Sequence, residues 1–249
     1  MPEIYLSLFA YGLPDDLLAA FASANQSDVT WLLFLHSQIP AVVTACETLA
    51  KHNNVIYFAY GTNRGGARSL NEAICRAQDD AADVFIVWQD DLYARPGDIA
   101  LIANSMLANP DCSYAECEGY VQRTGRTEWL GLTGGAINLR AIDRVGYFDQ
   151  NFWPMYFDDT DWRYRAKLAG LSSVRVPGAY LTHAGSKTHT DVQPEKFDEY
   201  FYPNKAYYEN KWGGDGGSEQ FTTPFNAPAL DWNITRDRID NPYPGRGKT

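Results

Sequence analysis

DVFIVWQDD, residues 83–91, is the stretch on which the fold turns. Asp83 to Trp88 is short, apolar and rich in β-formers, the pattern of a strand buried on both faces. It runs directly into Gln89-Asp90-Asp91, and Pro96 then opens a predicted helix through Leu107. Upstream the same unit recurs three times. Ile4 to Ala10 reads as a strand, followed by a helix from Leu17 to Ala24 that Asp15-Asp16 introduces. Val29 to Leu35 (VTWLLFL) is a second strand, followed by a helix from Val42 to Lys51. Val55 to Ala59 is a third, followed by a helix over 66–78 with Ala67, Leu70, Ile74 and Ala77 on one face. Strand–helix alternation at this spacing predicts an α/β fold, a mostly parallel central sheet with helices on both faces. Ligands of such sheets bind beyond the carboxyl ends of the strands. Ala10-Tyr11, His36-Ser37, Tyr60-Gly61 and Gln89-Asp90-Asp91 are therefore expected along one edge.

The pattern changes after residue 110. Residues 112–131 suggest a strand pair around Thr124-Gly125-Arg126, and a glycine-rich loop follows from Leu132 to Ala136. Asp159 to Ala169 reads as a helix closed by Gly170. Val174 to Leu181 is another apolar run, leading to His183, and residues 195–212 read as helical. From Trp212 onward Gly, Pro and Asn dominate with little periodicity, so an irregular wrap or a partly mobile segment is expected.

Bulk properties narrow the function. A length of 249 residues suits one large domain, or one domain with an extension. The net charge of −10 repels phosphate backbones and argues against non-specific nucleic-acid binding. An acidic chain that handles a nucleotide diphosphate is expected to need a cation to screen the phosphates. No stretch reaches the ~20 apolar residues of a membrane span, and the N-terminus lacks a signal-peptide pattern. The expectation is a soluble, cytoplasmic protein. Cys46, Cys75, Cys112 and Cys117 show no zinc-ligand spacing and are expected to be free thiols, a Cys112–Cys117 bridge being the alternative.

Four segments carry candidate chemistry. Asp90 and Asp91, adjacent at a strand end, have the ligand type that Mg²⁺ or Mn²⁺ takes, with phosphate oxygens and water completing the shell; a solvated turn is the bland alternative. In MYFDDTDWRYR, residues 155–165, Asp158, Asp159 and Asp161 crowd the start of a helix. One carboxylate suffices to cap it; a further one, kept ionised by the helix N-terminus, suits a general base. His183, at another strand end, is either a structural histidine or the imidazole of a carboxylate metal site. Asn63-Arg64-Gly65-Gly66-Ala67-Arg68 opens a helix with glycines, where backbone N–H groups approach an anion and Arg64 or Arg68 can pair with a diphosphate.

The order and spacing of these segments resemble glycosyltransferase family 2, over roughly residues 3–190. The family's Asn-x-Gly helix start matches Asn63, Gly65 and Asn71. Its aspartate-bearing strand end followed by proline matches Phe85 to Pro96. Its Gly-Gly-Ala loop, arginine and Val-Gly-x-Phe-Asp segment match Gly134, Gly135, Ala136, Arg140 and Val145 to Asp149. Its acidic segment with arginine matches Asp158, Asp159, Asp161 and Arg165, and its Pro-x-Ala strand with histidine matches Pro177, Ala179 and His183.

The resemblance implies a GT-A (Rossmann-like) fold and an inverting transfer of a sugar from a nucleotide-diphosphate donor to an acceptor hydroxyl, assisted by Mn²⁺ or Mg²⁺. It implies that Asp91 and His183 ligate the metal and that Asp159 is the base, with Asp158 beside it. Ala10, Tyr11, Asn63, Arg64, Arg68 and Asp90 are then assigned to the donor. Gly134 and Gly135, with Trp129, Trp153 and Trp162 as a candidate stacking platform, are assigned to a glycan or other hydroxyl-bearing acceptor. Residues 1–190 form the catalytic domain, with a nucleotide-sugar half at 1–110 and an acceptor half at 111–190; residues 191–249 form a C-terminal helical and irregular extension. Two departures stand out: Gln89 occupies a position where the family usually has a carboxylate, and Asp158 one where it mostly has Glu. Gln89 motivates a rival, the same fold as a catalytically inactive sugar- or nucleotide-binding module. A metal-dependent phosphohydrolase or nucleotidyltransferase using Asp90, Asp91 and His183 is a second.

Overall fold

The computed structural model describes residues 2–25, 28–185, 187, 192–240 and 242–243. Four strands form its parallel half: β1 (Ile4–Ala10), β2 (Val29–Leu35), β3 (Val55–Ala59) and β4 (Val84–Gln89). They lie in the order β3-β2-β1-β4, all parallel. The helices between them are α1 (Pro14–Ala24), α2 (Pro40–Leu49) and α3 (Gly66–Asp79), and α4 (Asp98–Ala108) follows β4. Pro14 and Pro40 sit in the first turns of α1 and α2, where the missing N–H is no loss. The expected helix start at Pro96 is corrected to Asp98. Gly97 takes φ +90, a conformation outside the helix, and the Asp98 carboxylate turns back to accept the Arg95 amide at 2.8 Å.

Helices cover both sheet faces. Leu17, Phe21, Val42, Cys46, Ile99 and Ile102, from α1, α2 and α4, pack with one set of strand side chains. Ala67, Leu70 and Ile74 of α3 pack on the opposite face. They are joined there by α5 (Ile142–Val145) and α6 (Asp158–Leu168), through Val145 and Trp162. This is the expected mixed α/β, Rossmann-like architecture.

The second half extends the same sheet with β5 (Leu92–Tyr93), β6 (Tyr114–Val121), β7 (Arg126–Trp129), β8 (Ala136–Ile137) and β9 (Ser173–His183). The order continues β4-β8-β6-β9-β5, with β7 also beside β6. One pairing matters for function. The two-residue β5, which no periodicity marks, runs antiparallel to the end of β9 and sets Leu92 opposite His183. The residue after the β4 carboxylates is thereby fixed to the strand that carries the histidine.

Helix α7 (Phe197–Trp212) and the segment after it close the structure. The described part of the tail is a wrap. Ile234 bridges to Gly146, and Ile234 and Tyr243 are buried in the core beneath α3 and α6. Residues 244–249 of the expected extension, and residues 188–191 around its expected boundary, lie outside the described residues. All four cysteines are free thiols. No helix among the described residues is long and apolar enough to cross a membrane.

Candidate active site

The carboxyl ends of β1, β2 and β4 open into a cavity of about 330 Å³. Phe9 and Tyr11 reach it from β1, His36 from β2, Asn63 from the loop after β3, and Gln89, Asp90 and Asp91 from β4. Asp158, Asp159 and His183 also line it. The expected edge therefore exists, and three distant segments of chain converge on it.

Asp91 and His183 meet directly. His183 Nε2 lies 3.3 Å from Asp91 Oδ1, both side chains largely buried. Burial alone would push the Asp91 carboxyl up, but the His183 hydrogen bond and charge outweigh it and hold the group below the usual carboxylate range. Asp90 behaves oppositely. Burial, then the neighbouring charges of Asp91 and Asp16, push its carboxyl well up. Asp16 in turn accepts from Tyr93 Oη at 2.5 Å and Lys187 Nζ at 2.7 Å.

The second acidic pair sits at the first turn of α6. Phe157 precedes it in the left-handed conformation, φ +67. Asp159 Oδ1 accepts from the Thr160 amide at 2.7 Å. The Asp158 carboxyl is raised to about 7, first by burial and then by the Asp159 charge. Two like carboxyls this close do not ionise together readily.

Gly65 shows why the segment before α3 needs glycine. Its φ is +83, and a Cβ there would lie 2.8 Å from the Trp153 ring. The Gly66 amide donates to Pro154 O at 2.7 Å, so the start of α3 is sewn to the loop that carries Trp153 and Asp158. Asn63 Oδ1 accepts from the Gly65 amide at 2.9 Å and holds the turn.

No family model matches the chain, and no curated protein matches it in sequence. Its structure does match solved ones, among them the mannosyltransferase PcManGT from Pyrobaculum calidifontis in complex with GDP-Man and Mn²⁺. The TM-score is 0.55 at 14% identity, covering 74% of this chain and 57% of that one. The chain has a glycosyltransferase-like fold. It spans a little over half the length of the mannosyltransferase it resembles.

Within this fold the other expected site residues divide. Tyr11, Asn63 and Asp90 line the cavity, whereas Ala10 is buried behind it and its carbonyl accepts from the His36 amide. Arg64 pairs with Glu72 at 3.1 Å, its guanidinium 3.9 Å from the centre of the Tyr60 ring. Arg68 is half-buried and faces Asp240 at 3.8 Å. Both arginines are thus tied to carboxylates outside the cavity. Gly134 and Gly135 act as spacers: a Cβ on Gly134 would meet Leu181 at 2.3 Å, and one on Gly135 would meet two carbonyl oxygens at 2.6 Å. Their close packing presents the adjacent Leu132 and Thr133 to the cavity.

The tryptophans are not one platform. Trp162 is fully buried, donating to Gly146 O at 2.9 Å and stacked on Phe148, so its assignment to the acceptor is corrected to core. Trp129 is exposed on β7 under the Arg175 guanidinium and does not line the cavity. Trp153 is exposed beside the cavity-lining Pro154 and meets Tyr200 of α7 edge-on.

His36 was missed in the sequence. It lies in the cavity wall, its Nε2 2.8 Å from Ser69 Oγ, its ring stacked near Phe9. Burial and then the Arg64 charge lower it to about 4, so it is neutral at pH 7. Only its place at the end of β2 hinted at this.

Asp91 and His183 also fit a divalent cation. Among the described residues no group of three or more His, Cys, Asp or Glu side chains is arranged to hold a metal. A hard cation bound with a substrate diphosphate needs no such cage, since one or two protein ligands plus phosphate oxygens and water complete the shell. An ionised carboxylate against an imidazole, both facing the cavity, is that kind of donor set.

Proposed function

We propose that the chain is an inverting, nucleotide-sugar-dependent glycosyltransferase of GT-A type. The observation that carries this reading is the convergence of Asp91–His183 and Asp158–Asp159 on one cavity at the carboxyl ends of parallel strands. A donor needs its phosphates neutralised and an acceptor hydroxyl needs a base, and the two pairs offer both functions in one cavity. Tyr11, His36 and Asn63 hold the nucleoside end. Asp91 and His183 are the residues that would hold the metal, which when bound withdraws charge from the leaving diphosphate. Asp159 takes the proton of the acceptor hydroxyl as its oxygen bonds to the anomeric carbon, and the bond from that carbon to the diphosphate oxygen breaks, releasing the nucleoside diphosphate. The Asp158 carboxyl, raised to about 7 by burial and the Asp159 charge, stands beside the base. Leu132 and Thr133 bound the acceptor side.

A thermal-shift screen of nucleotide sugars with Mn²⁺ tests this. One donor class is expected to stabilise the fold, by about 2.7 kcal/mol at a hundredfold excess over Kd. If no nucleotide sugar shifts the melting temperature, with or without Mn²⁺, the reading fails. Nucleotide binding without turnover on any acceptor would favour the inactive binding module that Gln89 suggests.

Asp158 gives a separate stability prediction. Its folded value of about 7 lies above the ordinary 3.8, so the folded state binds the extra proton. Stability is therefore expected to fall as pH rises from about 4 to 7, and to level off above. Asp158→Asn is expected to raise the unfolding free energy at pH 8, on the order of 2 kcal/mol, and to leave it nearly unchanged at pH 4. Urea unfolding at the two pH values measures this; an equal effect at both would refute it.

A further inference from the structure

A second cavity, of about 550 Å³, runs along the outer face of α6. Tyr114 and Ser173 stand on one side of it, and the loop at Gly216-Gly217 on the other. The reaction proposed above does not use it.

One stripe of α6 joins the two cavities. Asp159, Arg163 and Lys167 recur every fourth residue, so their side chains stand in a row along the helix. Asp159 lines the reaction cavity, and Arg163 and Lys167 line the groove. At 1.5 Å per residue, the two cations follow the base at about 6 and 12 Å along the axis. Trp162 and Arg165, on the other face of α6, are fully buried. The Arg163 guanidinium also lies against Gly131, next to the Leu132 and Thr133 that bound the reaction cavity.

The charges in the groove are unevenly committed. Asp215 is bonded to Lys205, and Glu219 accepts from Tyr208 at 2.6 Å and from the Gly217 amide at 3.0 Å. The two cations rest on aromatic groups, with the Asp159 and Glu116 charges acting on Arg163 from farther away. Arg163 Nε donates to Tyr114 Oη at 3.0 Å, and the Lys167 ammonium lies 5.6 Å from the Tyr164 ring centre. Lys167 acts on Glu219 only at longer range. Both cations are exposed, on a chain whose net charge is −10. A groove that leads away from the base and presents guanidinium, ammonium and aromatic rings suits a sugar chain carrying negative charge.

Building on the transferase reading, we propose that this groove holds the acceptor beyond its reacting hydroxyl. The acceptor is an oligosaccharide with an oxyanion, a carboxylate or a phosphate, on a unit next to the one that reacts. Arg163 and Lys167 bind that oxyanion and so set acceptor choice.

The test uses the full chain on immobilised oligosaccharides of three kinds: neutral hexose oligomers, hexuronate-containing oligomers and phosphorylated hexose oligomers, with single-stranded DNA alongside. The wild type is expected to retain one or both anionic kinds over the neutral one, and the two anionic arms tell carboxylate from phosphate. Arg163→Gln with Lys167→Gln is expected to weaken that retention about tenfold or more, and added salt is expected to weaken it in the wild type. Both side chains are exposed, so the melting temperature of the double variant should match the wild type. Its thermal shift with nucleoside diphosphate and Mn²⁺ should also be unchanged, which reports on the donor side separately. Equal retention of neutral and anionic oligomers, no retention of either anionic kind, undiminished retention by the double variant, or preference for DNA would each overturn the proposal.

Discussion

Replacing Lys211 with alanine is expected to lower the unfolding free energy by about 3–5 kcal/mol, the cost of leaving a buried charge without its partner. Lys211 is fully buried on α7, and its ammonium lies 2.8 Å from Asp149 and 2.6 Å from Asp161. Asp161 is also held by Arg165 at 2.8 Å and by the Trp212 ring N–H at 2.8 Å. Among the described residues, Asp149 keeps neutral donors when the ammonium goes, chiefly Tyr207 Oη at 3.0 Å and the Asn151 amide at 3.0 Å. Its carboxylate then has to stay charged in an apolar site or take up a proton, and both are costly. Lys196→Ala is the control. That lysine pairs with Glu199 on the surface, where solvent screens the pair, and its loss should cost far less than that of Lys211. Urea unfolding of both variants measures the difference. A loss below about 1 kcal/mol for Lys211→Ala would mean that α6 and α7 hold together without the network.

Asp159→Asn is expected to reduce transfer by about 10²–10⁴-fold, the usual contribution of a positioned base. The amide keeps the shape of the side chain and an oxygen for the Thr160 amide, so donor binding should survive. Asp91→Ala is expected to do the reverse, weakening donor binding itself, because it removes half of the Asp91–His183 pair. Donor thermal shifts and transfer rates, taken on both variants, separate the roles. Equal loss of donor affinity in the two would contradict this division of labour.

The parallel half was legible because its signals are local. β1, β2 and β3 have the limits that their apolar runs predict, and β4 differs by one residue at each end. The ends of these strands in turn predict one edge of the cavity. What stayed hidden depends on partners far along the chain. β5 is two residues long and exists as a strand only through β9. Arg64 looks like a phosphate ligand in isolation, but Glu72, two turns along, pairs with it. Trp162 has the composition of a sugar platform, yet it lies on the buried face of α6. Lys211 reads as one charge on a helix with many Tyr and Phe, and nothing near it in sequence announces two buried carboxylates. The roles given to Asp91, Asp159 and His183 came from resemblance. The cavity adds that their side chains face one space.

The buried ammonium has a further consequence for how the protein is made. Asp149 and Asp161 leave the ribosome well before Lys211 does, and Tyr243, whose ring lies 4.4 Å from that ammonium, comes later still. During synthesis α6 is therefore present as sequence before the Lys211 ammonium exists. A nascent chain stopped after α6 carries two carboxylates and one guanidinium that have to stay in water. The parallel strands and their helices come first in this chain, and α7, which carries the ammonium, comes after them.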